Sequence, residues 1–226
     1  MKQRRRSSAI AACSLVWTAA VLAQQHPGHG GRHGNPGDLE SYIRRLEDPG
    51  RDARQKPDEV VRALELRDGQ TACDIGSGPG YFTLRLARAV GRGRVYAVDV
   101  EPRILEVLRD RVGAARALNV TPVLALPEDP LLPEALCDLV LIVDTYHHFP
   151  DGPAYLRRLA RSLRPDGRIV NIDYEKKPTP VGPPPDHRIS REAFLAQAAD
   201  AGLAPVAEPA LLPYQYFVVL RPRPGR

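Results

Sequence analysis

Residues 73–81 read CDIGSGPGY, and the patterns on either side of this stretch determine how it folds. Residues 71–75 form a short apolar run typical of a buried strand, and residues 81–90 have a helical pattern. The three glycines between them predict a tight turn in which a ligand lies against bare backbone, next to a helix N-terminus that favours negative charge. The sequence therefore predicts a ligand-binding strand–turn–helix unit.

The spacing of these glycines narrows the class of ligand. A dinucleotide fingerprint, G-x-G-x-x-G, requires glycine at position 81, whereas this chain has Tyr81 there and Gly80 one place early. Gly-x-Gly-x-Gly preceded by Asp74 instead suits a ligand with an amino-acid portion, because an acid can balance its ammonium group. A glycine turn by itself also occurs in unrelated α/β proteins.

A second motif makes the prediction more specific. Residues 95–99 read VYAVD and end a predicted strand with Asp99, 23 residues after Gly76. An acid at the tip of the second strand accepts hydrogen bonds from ribose hydroxyls. The two motifs together predict a site for a nucleoside that carries an amino-acid group.

The rest of the chain alternates between strand and helix patterns. Residues 139–143, LVLIV, form a continuous apolar run, as expected of a central parallel strand covered on both faces. Residues 205–221 contain two extended pieces with no helix between them. These patterns predict an α/β fold, a doubly wound and mostly parallel seven-stranded sheet with helices on both faces and an antiparallel C-terminal edge hairpin.

Four motifs resemble those of the Rossmann-like (class I) S-adenosylmethionine-dependent methyltransferases, in particular the bacterial small-molecule type. They are DIGSGPGYFT (74–83), VYAVDVEP (95–102), CDLVLIVDTYHHF (137–149) and LRPDGRIVNIDY (163–174). The resemblance implies S-adenosylmethionine as the cofactor and a small molecule as the methyl acceptor. The cofactor-binding residues that it implies are Asp74, Gly76, Ser77, Gly78 and Gly80 for the methionine part, Asp99 for the ribose, Glu128 or Asp129 for the adenine, and Asp144 in the cofactor crevice.

Two histidines at the end of the fourth strand are candidate catalytic residues. Methyl transfer needs a general base only if the acceptor must lose a proton, and histidine titrates in the right range for that role. His147 and His148 lie beside the expected crevice. The alternative is that His147 packs structurally and His148 merely lines the pocket.

The N-terminal residues predict export. Residues 1–23 combine four basic residues with an apolar run that ends Val-Leu-Ala, as in a signal peptide, although an uncleaved anchor or a buried helix would give a similar pattern. Residues 24–37 are a Gly- and His-rich linker to which we assign no metal, and residues 38–226 form the methyltransferase domain. Export implies a periplasmic or extracellular protein; a leader that does not function would leave it cytoplasmic.

Charge and compartment bear on the function class. The leader carries four of the 32 basic residues and no acid, so the remainder has 28 basic residues against 27 acidic ones, and we expect no nucleic-acid partner. The mature chain has no predicted membrane-spanning segment. Because S-adenosylmethionine is made in the cytoplasm, an exported binding protein without methyl-transfer activity is the alternative to an enzyme.

The mature chain has two cysteines, which we expect to remain unpaired. In the resembled fold the first and fourth strands are parallel neighbours, with Cys73 near the carboxyl end of one and Cys137 at the amino end of the other. If Asp74 and Asp144 are level, the two thiols are about six residues apart along the strands, or roughly 20 Å. A disulfide requires Cα atoms within about 7 Å.

Overall fold

A computed structural model describes residues 38–224 of the 226-residue chain. The predicted signal peptide (1–23) and linker (24–37) lie outside these described residues. Within residues 38–224, none of the helices has the length and apolar character needed to cross a membrane.

Seven strands and seven α-helices make up the described part of the chain. The strands are β1 (Thr71–Ile75), β2 (Arg94–Asp99), β3 (Val120–Leu124), β4 (Cys137–Val143), β5 (Leu163–Tyr174), β6 (Leu203–Ala207) and β7 (Gln215–Pro222). The helices are α1 (Leu39–Leu46), α2 (Arg51–Gln55), α3 (Pro57–Ala63), α4 (Thr83–Ala89), α5 (Pro102–Ala114), α6 (Gly152–Ser162) and α7 (Arg191–Asp200).

All seven strands belong to one sheet, with the order β3-β2-β1-β4-β5-β7-β6. The pairs from β3 through β5 are parallel, and β7 is antiparallel to both β5 and β6. The predicted fold class is confirmed, including the antiparallel hairpin at the C-terminal edge. Because the chain reverses its direction of winding between β1 and β4, the carboxyl ends of these two strands form the crevice where doubly wound folds bind ligands.

Two apolar clusters fill the two sides of the sheet. Alternate residues of β4 enter different clusters, with Val140 and Ile142 on one side and Leu139 and Leu141 on the other. The first cluster includes side chains of α6 and α7, and the second includes side chains of α3, α4 and α5. The apolar run at 139–143 is therefore a central strand covered on both faces, as predicted.

Short polar side chains set where several helices begin. Asp151 Oδ1 accepts a hydrogen bond from the Ala154 N–H at 2.9 Å at the start of α6, and Ser190 Oγ accepts one from the Ala193 N–H at 3.2 Å at the start of α7. Such caps satisfy N–H groups that have no partner within the helix. The two helices α1 and α2 were not expected, because both are short and residues 39–55 are largely polar.

The two cysteines form a disulfide, so the prediction that they stay unpaired is wrong. Cys73 and Cys137 are both fully buried, and their Cα atoms are 6.1 Å apart. The assumed level of the strands caused the error. Asp74 pairs with Leu141 and not with Asp144, which lies three residues further along, so Cys73 is level with Val140. The start of β4 is also irregular, since its pairing with β5 shifts register between Cys137 and Leu139.

Candidate active site

Four aspartates lie near the carboxyl ends of four neighbouring strands. In the order of the strands in the sheet they are Asp99 (β2), Asp74 (β1), Asp144 (directly after β4) and Asp173 (β5). Asp74, Asp99 and Asp173 are buried. A row of acids in the crevice of a doubly wound sheet provides negative charge and hydrogen-bond acceptors for a cationic ligand rich in hydroxyl groups.

The glycine turn between β1 and α4 has the backbone that its sequence requires. Gly76, Gly78 and Gly80 all have positive φ angles, of 68°, 54° and 95°. A Cβ atom at position 76 would collide with the Thr145 side chain, and one at position 80 would lie 2.6 Å from Leu108 Cδ1. Glycine is therefore needed at both positions for conformation and for space.

Ser77 provides a test of whether the turn fits the implied cofactor. Its Oγ atom is buried and has no hydrogen-bond partner among the described residues. A buried hydroxyl without a partner is costly, and a polar ligand in the turn would satisfy it. The bare backbone of the turn and this hydroxyl therefore fit the amino-acid part of S-adenosylmethionine.

Asp99 is held in place by backbone N–H groups. Its two carboxylate oxygens accept hydrogen bonds from the Gly78 N–H at 2.9 Å and the Glu101 N–H at 3.0 Å. Burial raises the pKa of Asp99, and these backbone hydrogen bonds oppose that rise. The carboxylate is thus fixed at the end of β2, where the ribose was predicted to bind.

The Asp74 side chain is buried at the end of β1. Its carboxylate accepts a hydrogen bond of 2.6 Å from the Thr83 hydroxyl at the start of α4. Burial raises the pKa of Asp74 to about 6, against the effect of the Thr83 hydrogen bond. Asp74 therefore connects the strand before the glycine turn to the helix after it.

Asp144 adopts a backbone conformation that is unusual for a residue other than glycine, with φ of 50°. Its N–H donates to the Ile172 carbonyl oxygen at 2.8 Å. Its carboxylate accepts hydrogen bonds from Gln55 Nε2 at 2.5 Å and Gln215 Nε2 at 2.8 Å. Burial, followed by the charge of Asp173, raises the pKa of Asp144 to about 7. Such strained and strongly perturbed residues cluster at functional sites.

His147 is paired with a buried carboxylate. Its Nδ1 atom lies 3.0 Å from Asp173 Oδ2 and 3.2 Å from Asp173 Oδ1, and the two side chains are 7% and 0% exposed. Burial alone would lower the pKa of His147, but the hydrogen bond and the charge of Asp173 outweigh this effect and raise it. A histidine oriented by a carboxylate is the arrangement of a general base.

His148 has a different environment. It is exposed, and the centroid of its ring lies 4.2 Å from that of His147 at a tilt of 43°. The structure therefore places His147, rather than His148, in the hydrogen-bonded pair with Asp173.

Glu128 and Asp129 lie in a turn that is tied to α6. Asp129 Oδ1 accepts the Leu131 N–H at 2.9 Å, and its carboxylate lies 3.6 Å from the Arg158 guanidinium. The Glu128 side chain is exposed, and its carbonyl oxygen accepts a hydrogen bond from Arg158. The structure does not bring either carboxylate into the row of four aspartates, and contact with adenine stays a prediction.

The N-terminal helices contribute side chains whose contacts with the site cannot be read from local sequence patterns. The Arg51 guanidinium carbon lies 4.0 Å from the centroid of the Tyr81 ring, and Asp52 accepts a 2.5 Å hydrogen bond from the Tyr81 hydroxyl. These contacts hold α2 beside the glycine turn, and Gln55 at the end of α2 reaches Asp144. The feature of the sequence that draws attention to Gln55 is its position two residues before Pro57, at the start of the first core helix.

Within residues 38–224, no three His, Cys, Asp or Glu side chains are arranged to hold a metal ion. The histidines of the predicted linker lie outside these residues.

Comparisons with known proteins identify a methyltransferase domain in the part of the chain that contains this site. Residues 72–167 match a family model described as a methyltransferase domain. The chain is 30% identical over 128 residues to the demethylmenaquinone methyltransferase of Shouchella clausii, and the match covers 54% of this chain and 53% of that protein. It is 28% identical over 165 residues to the 27-O-demethylrifamycin SV methyltransferase of Amycolatopsis mediterranei, covering 66% of this chain and 59% of that protein. The chain thus spans somewhat over half the length of these curated relatives.

The solved structures include a similar fold over most of the chain. A SAM-dependent methyltransferase from Aquifex aeolicus is 27% identical, with a TM-score of 0.76, and the match covers 80% of this chain and 96% of that one. The residues that match the methyltransferase domain, 72–167, include the glycine turn, Asp99 at the end of β2 and the end of β4. Residues 72–167 therefore form a methyltransferase domain, and the chain has the fold of the Rossmann-like (class I) S-adenosylmethionine-dependent methyltransferases.

Proposed function

We propose that this protein transfers a methyl group from S-adenosylmethionine to a small-molecule acceptor that loses a proton in the reaction. The observation that carries the proposal is the hydrogen-bonded pair of His147 and Asp173 in the crevice of a methyltransferase fold. An exported binding protein would need the cofactor pocket but would have no need of an oriented base, so the pair favours an enzyme over that alternative.

The residues that hold the cofactor in this proposal are those of the glycine turn and the row of aspartates. S-adenosylmethionine supplies an activated methyl group on a sulfonium centre. The turn at residues 76–80 and the Ser77 hydroxyl bind its amino-acid part, and Asp99 binds the ribose. Asp144 and Asp74 add negative charge that favours a cationic ligand.

His147 acts as the general base. Asp173 holds its Nδ1 atom, which leaves Nε2 to accept the proton that the acceptor loses. The charge of Asp173 stabilises the imidazolium that results. The rest of the protein's contribution is to align donor and acceptor and to exclude water.

The acceptor class follows from this chemistry. A histidine whose pKa is raised by a carboxylate serves as a base for an O–H or an acidic C–H group, such as those of phenols and hydroquinones. Two similar proteins are named for demethylmenaquinone and for 27-O-demethylrifamycin SV, both small molecules. We propose a small aromatic hydroxyl compound as the acceptor of this protein.

A methyl-transfer assay tests the proposal. The full protein is incubated with radiolabelled S-adenosylmethionine and a panel of phenols, catechols and hydroquinones, and labelled product is extracted and counted. We expect transfer to at least one class, with a loss of at least about 100-fold in His147→Gln. Transfer that is equally fast in His147→Gln would contradict the role of the base.

We also propose that the protein is exported and acts outside the cytoplasm. The leader at residues 1–23 supports this proposal, and so does the Cys73–Cys137 disulfide, because disulfides persist mainly in oxidising compartments. A fusion of residues 1–30 to a reporter should be exported, and the N-terminal sequence of the secreted protein should begin at Gln24. Recovery of intact protein beginning at Met1 from the cytosol would contradict export.

A further inference from the structure

Two glutamine side chains converge on Asp144 from distant parts of the chain. Gln55 belongs to α2 and Gln215 begins β7, and they lie 89 and 71 residues away from Asp144 in the sequence. Each donates its Nε2–H to a different carboxylate oxygen. The orientation of Gln55 is itself fixed, because its Oε1 atom accepts a 2.6 Å hydrogen bond from Arg51 Nε. The amide nitrogen therefore points at Asp144 and cannot exchange places with the oxygen without losing that bond.

Asp144 and Asp173 are neighbours at the end of the sheet. Val143 is paired with Ile172 in the ladder between β4 and β5, so the residues that follow them are level on adjacent strands. Both carboxylates are thus held near one another in a buried site, with His147 bonded to Asp173. The charge of Asp173 opposes the ionisation of Asp144, so groups that donate hydrogen bonds to Asp144 are needed to stabilise its ionised form.

The charged groups around this cluster come from several elements. Asp173 and Asp144 raise the pKa of His147, and Arg188 from the loop after β5 opposes them. Arg51 of α2 and His147 favour the ionised form of Asp144, and Asp173 disfavours it. Tyr42 and Tyr174 face the same cluster, since the charge of Asp144 contributes to a raised pKa in both. The ring of His148 lies beside that of His147 at a tilt of 43°.

Hydrogen bonds donated to a carboxylate favour its ionised form. An ionised Asp144 in turn makes His147 a stronger base, because it stabilises the imidazolium. We infer that Gln55 and Gln215 are positioning residues that favour the ionised form of Asp144 beside the His147–Asp173 pair, and that the docking of α2 thereby raises the basicity of His147. The inference rests on the proposed role of His147 and deepens it.

The contacts that dock α2 are separate from the bond to Asp144. Asp52 accepts a hydrogen bond from the Tyr81 hydroxyl and lies 3.2 Å from the Arg85 guanidinium. Loss of these contacts should let Gln55 leave Asp144 part of the time, which would weaken His147 as a base without any change at the base itself.

The test is a titration of the histidine ring protons by NMR on the full protein, with no ligand present. The His147 signal is assigned by its absence in His147→Gln. Gln55→Ala, Gln215→Ala and Asp144→Asn should each lower the midpoint of the His147 titration, by about one pH unit in Asp144→Asn and by less in the glutamine variants. Asp52→Ala should shift it in the same direction.

Two controls separate this effect from a general loss of structure. Gln70→Ala removes a glutamine that caps the Arg67 N–H far from the crevice, and it should leave the His147 midpoint unchanged. The exposed His187 serves as an internal reference in every variant, because its only ion-pair partner in the described chain is Asp186.

A His147 midpoint that does not move in Gln55→Ala and Gln215→Ala would overturn the inference. If either variant fails to fold, the other and Asp52→Ala carry the same test. The methyl-transfer assay stays independent of this outcome, because a dependence of transfer on His147 with no dependence of its titration on the glutamines would refute only the positioning role.

Discussion

The Nδ1 atom of His147 lies 3.0 Å from the Oδ2 atom of Asp173, although the two residues are 26 positions apart. His147 lies in the short 3-10 helix that follows β4, and Asp173 lies near the end of β5. Replacement of His147 by glutamine keeps a polar side chain but removes the base. We expect methyl transfer to fall by about 10²- to 10⁴-fold while the affinity for S-adenosylhomocysteine stays within twofold, because no cofactor contact is lost. Kinetics and calorimetry on the same preparation measure both quantities.

The matched control for this variant is His187→Gln, which changes an exposed histidine that is paired with Asp186 and makes no contact with Asp173 among the described hydrogen bonds. Its rate should equal that of the unmodified protein. Equal losses in the two variants would show that His147 has no special role.

The pH dependence of methyl transfer should follow the protonation of His147. Because the pKa of His147 is raised above its ordinary value of 6.5 and the base must be neutral to act, the rate should rise with pH and reach its plateau above that value. Asp173→Asn should shift this acidic limb to lower pH, since the hydrogen bond and charge that raise the pKa are lost. A rate profile that is flat between pH 5.5 and about 8.5 would contradict the assignment.

Asp99→Ala should weaken the binding of S-adenosylhomocysteine by roughly 1–3 kcal/mol, because the ribose hydroxyls lose a charged acceptor. The Gly78 N–H would lose its partner as well, so part of the loss reflects a less ordered turn. Calorimetry measures the change. Asp166→Ala, at an exposed position near the start of β5, is the control and should leave the affinity unchanged.

The disulfide should be present in the native protein and should contribute substantially to its stability. Thiol counting in denaturant without reductant should find no free thiol from Cys73 or Cys137. The link closes a loop with a sequence separation of 64, for which chain entropy gives about 4 kcal/mol of stabilisation. Cys73→Ala/Cys137→Ala should therefore lower the free energy of unfolding by about that amount in a guanidinium titration. Two free thiols in protein purified from an oxidising compartment would contradict the structure.

Local patterns were enough to predict the sheet and to place the glycine turn and Asp99 at the carboxyl ends of β1 and β2. The glycines at 76–80 and the acid at 99 lie in short motifs whose backbone requirements can be read from neighbouring residues. The acceptor half depends on contacts between distant residues. Nothing in the local sequence distinguishes Asp173 from other acids near strand ends. Its contact with His147 depends on the pairing of β4 with β5.

Strand register explains the one wrong prediction and one of the missed contacts. Cys73 and Cys137 pair because β1 and β4 are offset by three residues from the alignment that Asp74 and Asp144 suggested. Gln55 was not identified as a partner of Asp144 because it belongs to a five-residue helix with no periodic pattern. Neither the offset of parallel strands nor the docking of so short a helix is encoded in local sequence.

The central claim is that the crevice at the ends of β1 and β4 binds S-adenosylmethionine, and calorimetry with the full protein tests it most directly. S-adenosylhomocysteine should bind with a stoichiometry of about one per chain, and NAD should give no heat of binding, because Tyr81 occupies the position where a dinucleotide site needs its third glycine. Tight binding of NAD with no response to S-adenosylhomocysteine would contradict the account.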